Sequence, residues 1–189
     1  MQNTQITAFI ITGQPGVGKT TLIRKLCTAL SVHSKLAGFY TEEVRANGQR
    51  IGFDVVTVNG TRGILARECP ADNLRRPRLG KYAVYVSDFE DLALSTLRVD
   101  PRSQQLLLID EIGKMELLSN RFEAAVSELL KQKQPILVTI PLRTRQPIPI
   151  VERLKSSPDA VTFHVTRSNR DGLTQVITEY IVDALFKGK

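Results

Sequence analysis

Apolar positions along the chain alternate between two periods. Thr7 to Thr12 is a β-rich apolar run that stops at Gly13, and from Lys19 to Leu30 the residues Leu22, Ile23, Leu26 and Leu30 recur at helical spacing. The N-terminal region therefore reads as strand, turn, helix. The period then drops to that of a strand in Gly38–Arg45 and Ile51–Val58. Between them lies Asn47-Gly48, a pair that tolerates the positive φ of a tight hairpin turn. A second pair, Asn59-Gly60, leads into Thr61–Ala66 and predicts a further antiparallel strand. Cys69–Lys81, with Pro70, Pro77 and Gly80 among arginines, has no period and reads as a loop. Tyr82–Val86 is a short strand. Ser87 or Asp88 is placed to cap a helix over Phe89–Leu97, and Pro101 closes that unit.

Beyond it, Leu106–Ile109 is an unbroken apolar run, the signature of a central parallel strand covered on both faces. Phe122–Leu130 is helical, with Phe122, Ala125, Val126, Leu129 and Leu130 along one side. Ile136–Ile140 follows as a buried strand, Ile148–Lys155 as a short helix behind prolines, and Val161–Val165 as a strand. Leu173–Phe186 is a closing amphipathic helix. This alternation predicts an α/β fold whose mostly parallel sheet is built by right-handed crossovers, with an antiparallel meander inserted after the first helix. Ligands of such sheets bind beyond the carboxyl ends of the strands. At 189 residues and 42% apolar composition, one domain covering residues 1–189 is expected.

Bulk composition narrows the picture only a little. No apolar stretch approaches the roughly 18–20 residues that cross a bilayer, and the polar Met1–Gln5 has no character of a secretory or transit signal. A cytosolic or nuclear location follows as the expectation. Cys27, on what reads as a buried helix face, and Cys69 are expected as free thiols. The net charge of +7 would favour any polyanion, yet the basic residues are dispersed as on a solvated surface. With no nucleic-acid motif and few aromatics, the sequence argues against a nucleic-acid partner. His33 and His164 are isolated, which argues against a transition-metal site.

The chemistry concentrates in two segments. Gly13-Gln14-Pro15-Gly16-Val17-Gly18-Lys19-Thr20 fits G-x-x-x-x-G-K-[ST] at every fixed position, and it stands between a strand and a helix. In that setting successive N–H groups and the positive helix end converge on phosphates. Gly16 and Gly18 let the backbone approach closely, Lys19 reaches the β and γ phosphates, and the Thr20 hydroxyl is the expected Mg²⁺ ligand. The second segment is Leu106-Leu107-Leu108-Ile109-Asp110-Glu111. An acid directly after a buried strand needs a partner, and Mg²⁺ fits Asp110 while Glu111 is placed to polarise an attacking water. Thr139, near the end of the Ile136–Ile140 strand, is a candidate γ-phosphate sensor if that strand lies beside Asp110. Lys114 and Arg170 are candidate phosphate or base contacts, against the plainer readings of a solvent-facing lysine and of a surface arginine beside an Asn169 cap. Glu42 and Glu43 stand near Arg45 and Arg50, where cross-strand ion pairs are expected rather than a role in the site.

Gly13–Thr21, Gly38–Arg45, Arg50–Val56, Gly60–Gly63 and Asp110–Glu116 together resemble the cancer-related nucleoside-triphosphatase family, small P-loop NTPases with thermophilic bacterial and archaeal members. The resemblance covers nearly the whole chain. It implies a P-loop three-layer sandwich and a monomeric, slow, Mg²⁺-dependent hydrolase of nucleoside 5′-triphosphates with broad base tolerance. It also maps nucleotide binding onto Gly13–Thr20 and onto Leu106–Gly113, adding Ile112 and Gly113. Two alternatives stand beside hydrolysis. One is a nucleotide or small-molecule kinase with Arg75, Arg76 and Arg78 as a closing lid, and the other is a binding module governed by nucleotide state.

Overall fold

The computed structural model describes residues 5–99 and 105–186, so Met1–Thr4 and Pro101 lie outside the described residues. β1 (Ala8–Gly13) runs into a glycine-rich turn, and α1 (Lys19–Leu30) starts directly after it. β2 (Lys35–Ala46), β3 (Gln49–Thr57) and β4 (Arg62–Arg67) form the expected meander. Asn47 and Gly48 turn its first corner at φ of 50° and 77°. β5 (Arg78–Leu79) and β6 (Tyr82–Val84) precede α2 (Val86–Thr96). β7 (Gln105–Ile109) leads through a 3-10 helix at Glu116–Leu118 to α3 (Asn120–Lys131), β8 (Ile136–Pro141), α4 (Pro149–Ser156), β9 (Ala160–Val165) and α5 (Leu173–Phe186).

Four sequence expectations change. The segment Cys69–Lys81 is not wholly loop, because Arg78–Leu79 pairs with Tyr82–Ala83 around Gly80 at φ 58°. A two-residue strand carries no period, so only its partner reveals it. Val86 belongs to α2 and not to the preceding strand. That helix starts after Tyr85 without a side-chain cap from Ser87 or Asp88. Asn169 likewise does not cap α5. Its Oδ1 accepts from the Thr166 N–H at 2.8 Å and its Nδ2 donates to the His164 carbonyl at 2.9 Å, closing the turn that follows β9.

Among the described residues the nine strands form one sheet in the order β5-β6-β4-β3-β2-β7-β8-β1-β9. β2 belongs to both halves: Lys35–Phe39 runs parallel to β7, and Phe39–Ala46 runs antiparallel to β3. The crossing into the second half is tight. Gly38 sits at φ +109°, and a Cβ there would lie 1.9 Å from the Leu108 carbonyl oxygen, so only glycine fits.

Side chains of the central strands alternate between two cores, as a pleated sheet covered on both faces requires. Ala8, Ile10, Leu107, Ile109 and Val138 pack toward α2, α3 and α4, whereas Phe9, Ile11, Leu106, Leu108 and Leu137 pack toward α1 and α5. Phe39, Phe89 and Phe122 stack edge to face at centroid distances of 5.2–5.8 Å. Each such buried ring stabilises the fold by about 1.5–3 kcal/mol.

Polar positions of the meander are held by arginines. Glu43 accepts from Arg45 at 2.7 Å and from Arg50 at 2.9 Å, and Glu42 pairs with Arg62 and, across to α1, with Arg24. The expected cross-strand pair is therefore present. Asp54 is only 7% exposed and accepts from Arg62 at 3.0 Å and Arg67 at 2.5 Å. Removing a buried acid from such a pair leaves uncompensated positive charge, so Asp54→Ala is expected to cost about 3 kcal/mol. The more exposed Glu43→Ala should cost under about 1 kcal/mol. Urea denaturation midpoints at unchanged slope would check the ranking.

Candidate active site

β1, β7 and β8 lie side by side and in parallel, with Gly13 opposite Pro141 and Ile109 opposite Val138, so their carboxyl ends open onto one cleft. That cleft measures about 1000 Å³ and is bordered by the Gly13–Thr21 loop, Asp110–Glu111 and the segment after β8. The loop owes its shape to glycine: Gly16 and Gly18 take φ of 73° and 105°, and Gly18 occupies the N-cap position of α1. A Cβ at Gly13 would meet the Val165 carbonyl oxygen at 2.5 Å, so the loop packs directly on the end of β9. The α1 N-terminus therefore faces the cleft with its positive end.

Asp110 is the hub. It is 1% exposed, and its Oδ2 accepts from the Thr20 hydroxyl at 2.8 Å and from the Thr41 N–H at 3.5 Å, while Oδ1 accepts from the Thr139 hydroxyl. Burial raises its pKa above the usual aspartate value, against the opposing pull of those three donors and of Lys19. Lys19 Nζ donates to the Gly13 carbonyl at 3.2 Å and stands 3.9 Å from Glu111 Oε2. Burial also raises the pKa of Glu111, with Lys19 opposing and Asp110 adding to the rise.

The expected residues thus separate into those at the cleft and those behind it. Gly13–Gly16, Gly18–Thr21, Asp110, Glu111 and Lys114 line it. Thr139 is fully buried and reaches the site through Asp110, because β8 does lie beside β7. Val17, Leu106–Ile109 and Ile112 belong to the two cores, and the Ile112 N–H donates to the Thr139 carbonyl at 2.9 Å. Arg170 donates to the Val17 carbonyl at 3.4 Å and passes Gly18, touching the outside of the loop. Arg75, Arg76 and Arg78 do not line the cleft: Arg76 is paired with Asp72 at 2.5 Å and stacked on Tyr85, and Arg78 donates to the Lys81 carbonyl. Cys27 is half-buried and Cys69 exposed, both as free thiols.

Sequence reasoning missed Thr41 and Glu116, and it did not place at the site Glu43, Arg45, Arg143 and Arg145, which also line the cleft. The Thr41 N–H reaches Asp110 from the start of the antiparallel half, a contact visible only once β2 is paired with β7. Glu116 is 5% exposed, lines the cleft from within, and accepts from the Gly113 N–H at 3.2 Å. Burial, and then the charge of Glu111, push its pKa up to about 8. The available signal was an acid directly after Met115 in a turn whose other apolar residue, Ile112, is drawn into the core.

Comparison with known proteins agrees with this geometry. Residues 8–178 match the family profile described as NTPase. The chain is 44% identical over 170 residues to the nucleoside-triphosphatase THEP1 of Thermotoga petrophila, covering 89% of each. It is 47% identical over 171 residues to the human cancer-related nucleoside-triphosphatase, covering 86% of this chain and 90% of the relative. The crystal structure of THEP1 from Aquifex aeolicus superposes with a TM-score of 0.79 at 36% identity, over 95% of this chain and 99% of that one. A profile match spanning most of the chain, with relatives of this similarity, places it: the chain belongs to the NTPase family, and its fold is the P-loop three-layer sandwich.

Proposed function

We propose that this protein hydrolyses nucleoside 5′-triphosphates, ATP, GTP, CTP and UTP alike, to diphosphate and phosphate, slowly and with Mg²⁺. The observation that carries the reading is the union of a complete phosphate loop with a buried Asp110, and beside it a cleft-facing Glu111 3.9 Å from Lys19. The names of the relatives, nucleoside-triphosphatases, support it.

The donor set suits a hard divalent cation, since the Thr20 hydroxyl and the Asp110 carboxylate present oxygens 2.8 Å apart at the end of the loop. Bound there, Mg²⁺ would polarise the phosphate oxygens and offset their charge. The remaining work falls to the chain itself. Loop amides and the α1 N-terminus bind the phosphates, and Lys19 draws off charge as it develops. Thr139 and the Thr41 N–H fix the Asp110 carboxylate. Glu111 orients a water toward the γ-phosphorus and accepts its proton as the bond to the bridging oxygen breaks. These contacts all address phosphate, which fits broad tolerance of the base. Arg75, Arg76 and Arg78 stand outside the cleft lining, which favours hydrolysis over the kinase reading.

Phosphate release measured across the four triphosphates is expected to be flat within about threefold and to collapse when Mg²⁺ is chelated, since charge neutralisation at the phosphates is then lost. Transfer of the γ-phosphate to a nucleoside monophosphate, in place of phosphate release, would overturn the reading.

A further inference from the structure

The reading of Glu111 as base leaves a physical gap. A glutamate side chain has three rotatable bonds, and confining it costs rotamer freedom. The recorded charged partner on its open side is Lys19, at 3.9 Å. A base must be held within tenths of an ångström of its water to act well, so a second wall is required.

That wall is found across Gly113. A Cβ built on Gly113 would meet Glu111 Oε1 at 2.7 Å and Glu116 Oε2 at 3.1 Å, so both carboxyl groups border the space that a side chain at this position would fill. Glu116 is itself fixed from two directions. Its Oε2 accepts from the Gly113 N–H at 3.2 Å, and its backbone belongs to the 3-10 helix, whose end is tied down by the Ser119 N–H on the Glu116 carbonyl at 3.0 Å. Ser119 in turn caps α3 through the Phe122 N–H at 3.0 Å and donates to Glu90 at 2.6 Å, so the support continues into α3 and α2.

From this geometry we infer that Glu116 is a positioning residue for Glu111, its anchored carboxyl group forming the inner face against which the base is held. The inference rests on Glu111 serving as base. Two neighbouring acids would ordinarily repel, but burial and the charges of Glu111 and Asp110 push Glu116 up to about 8. Its protonated form is thereby favoured, so it adds shape with less repulsion than two ordinary carboxylates would bring.

A double-mutant cycle tests the inference, with kcat and nucleotide Kd measured on the Mg²⁺-loaded protein. Glu116→Gln keeps the shape, the neutral charge and an acceptor for Gly113, and should stay within about threefold of the parent kcat. Glu116→Ala should lose at least about tenfold in kcat with Kd changed by less than about twofold. In a Glu111→Gln background the same alanine substitution should cost less than about twofold, because there is no base left to position. If Glu116→Ala does not fold, Glu116→Asp, which withdraws the carboxyl by one methylene, serves in both backgrounds. Equal losses in both backgrounds, no loss at all, or Glu116→Gln falling as far as alanine would overturn the positioning role alone. Parent-like turnover in Glu111→Gln by itself would overturn the base assignment and the inference with it.

Discussion

Glu111→Gln is expected to bind nucleoside triphosphate as tightly as the parent chain while releasing phosphate about 100-fold or more slowly. The amide keeps the volume of the carboxylate and so preserves the cleft, but it can no longer take a proton from water. Affinity should survive because the groups proposed to hold phosphate, the loop amides, Lys19 and Thr20, are untouched. Loss of a negative charge 3.9 Å from Lys19 should sharpen it slightly. Single-turnover phosphate release alongside equilibrium binding of a fluorescent nucleotide separates the two quantities. Parent-like turnover would remove Glu111 from the mechanism.

For Asp110→Asn the expected effects on stability and on turnover have opposite signs. Burial raises the pKa of Asp110, so folding disfavours its charged form. The penalty is absent in acid, below the ordinary aspartate value, and grows as pH rises toward the raised folded value. Asparagine does not titrate. In metal-free buffer the variant should therefore melt higher than the parent at neutral pH, with the gap closing as pH falls. Turnover should drop about 100-fold or more, because the site loses the charge that suits it to Mg²⁺. Melting curves across pH with chelator, set beside phosphate release with Mg²⁺, check both halves. A variant less stable than the parent at neutral pH would show that the hydrogen bonds from Thr20 and Thr139 outweigh the desolvation of the carboxylate.

Much of this architecture was legible in the sequence because it follows from local rules. The phosphate loop announces itself through fixed glycines, a lysine and a threonine at set spacing, and the buried strands through runs such as Leu106–Ile109. The hairpin was marked by Asn47-Gly48, whose positive φ values the structure reproduces. What escaped depends on pairing at long range. Arg78–Leu79 is a strand only because Tyr82–Ala83 lies beside it. Glu116 reads as one more acid on a polar turn until the fold buries it behind Gly113. Thr139 stood between the two cases: its residue type said little, and the placement of β8 next to β7 brought its hydroxyl to Asp110. Arg170 was a candidate phosphate or base contact, yet the turn after β9 sets it against the loop at Val17.

The shared strand β2 carries a last consequence. Thr41, whose N–H reaches Asp110, lies three residues past Gly38, where the backbone passes so close to Leu108 that no side chain fits. The antiparallel half is thus fastened to the nucleotide half at a seam with no slack. Position 38 works as a rivet: a side chain there would pry the halves apart and shift Thr41, altering the site from outside the cleft lining.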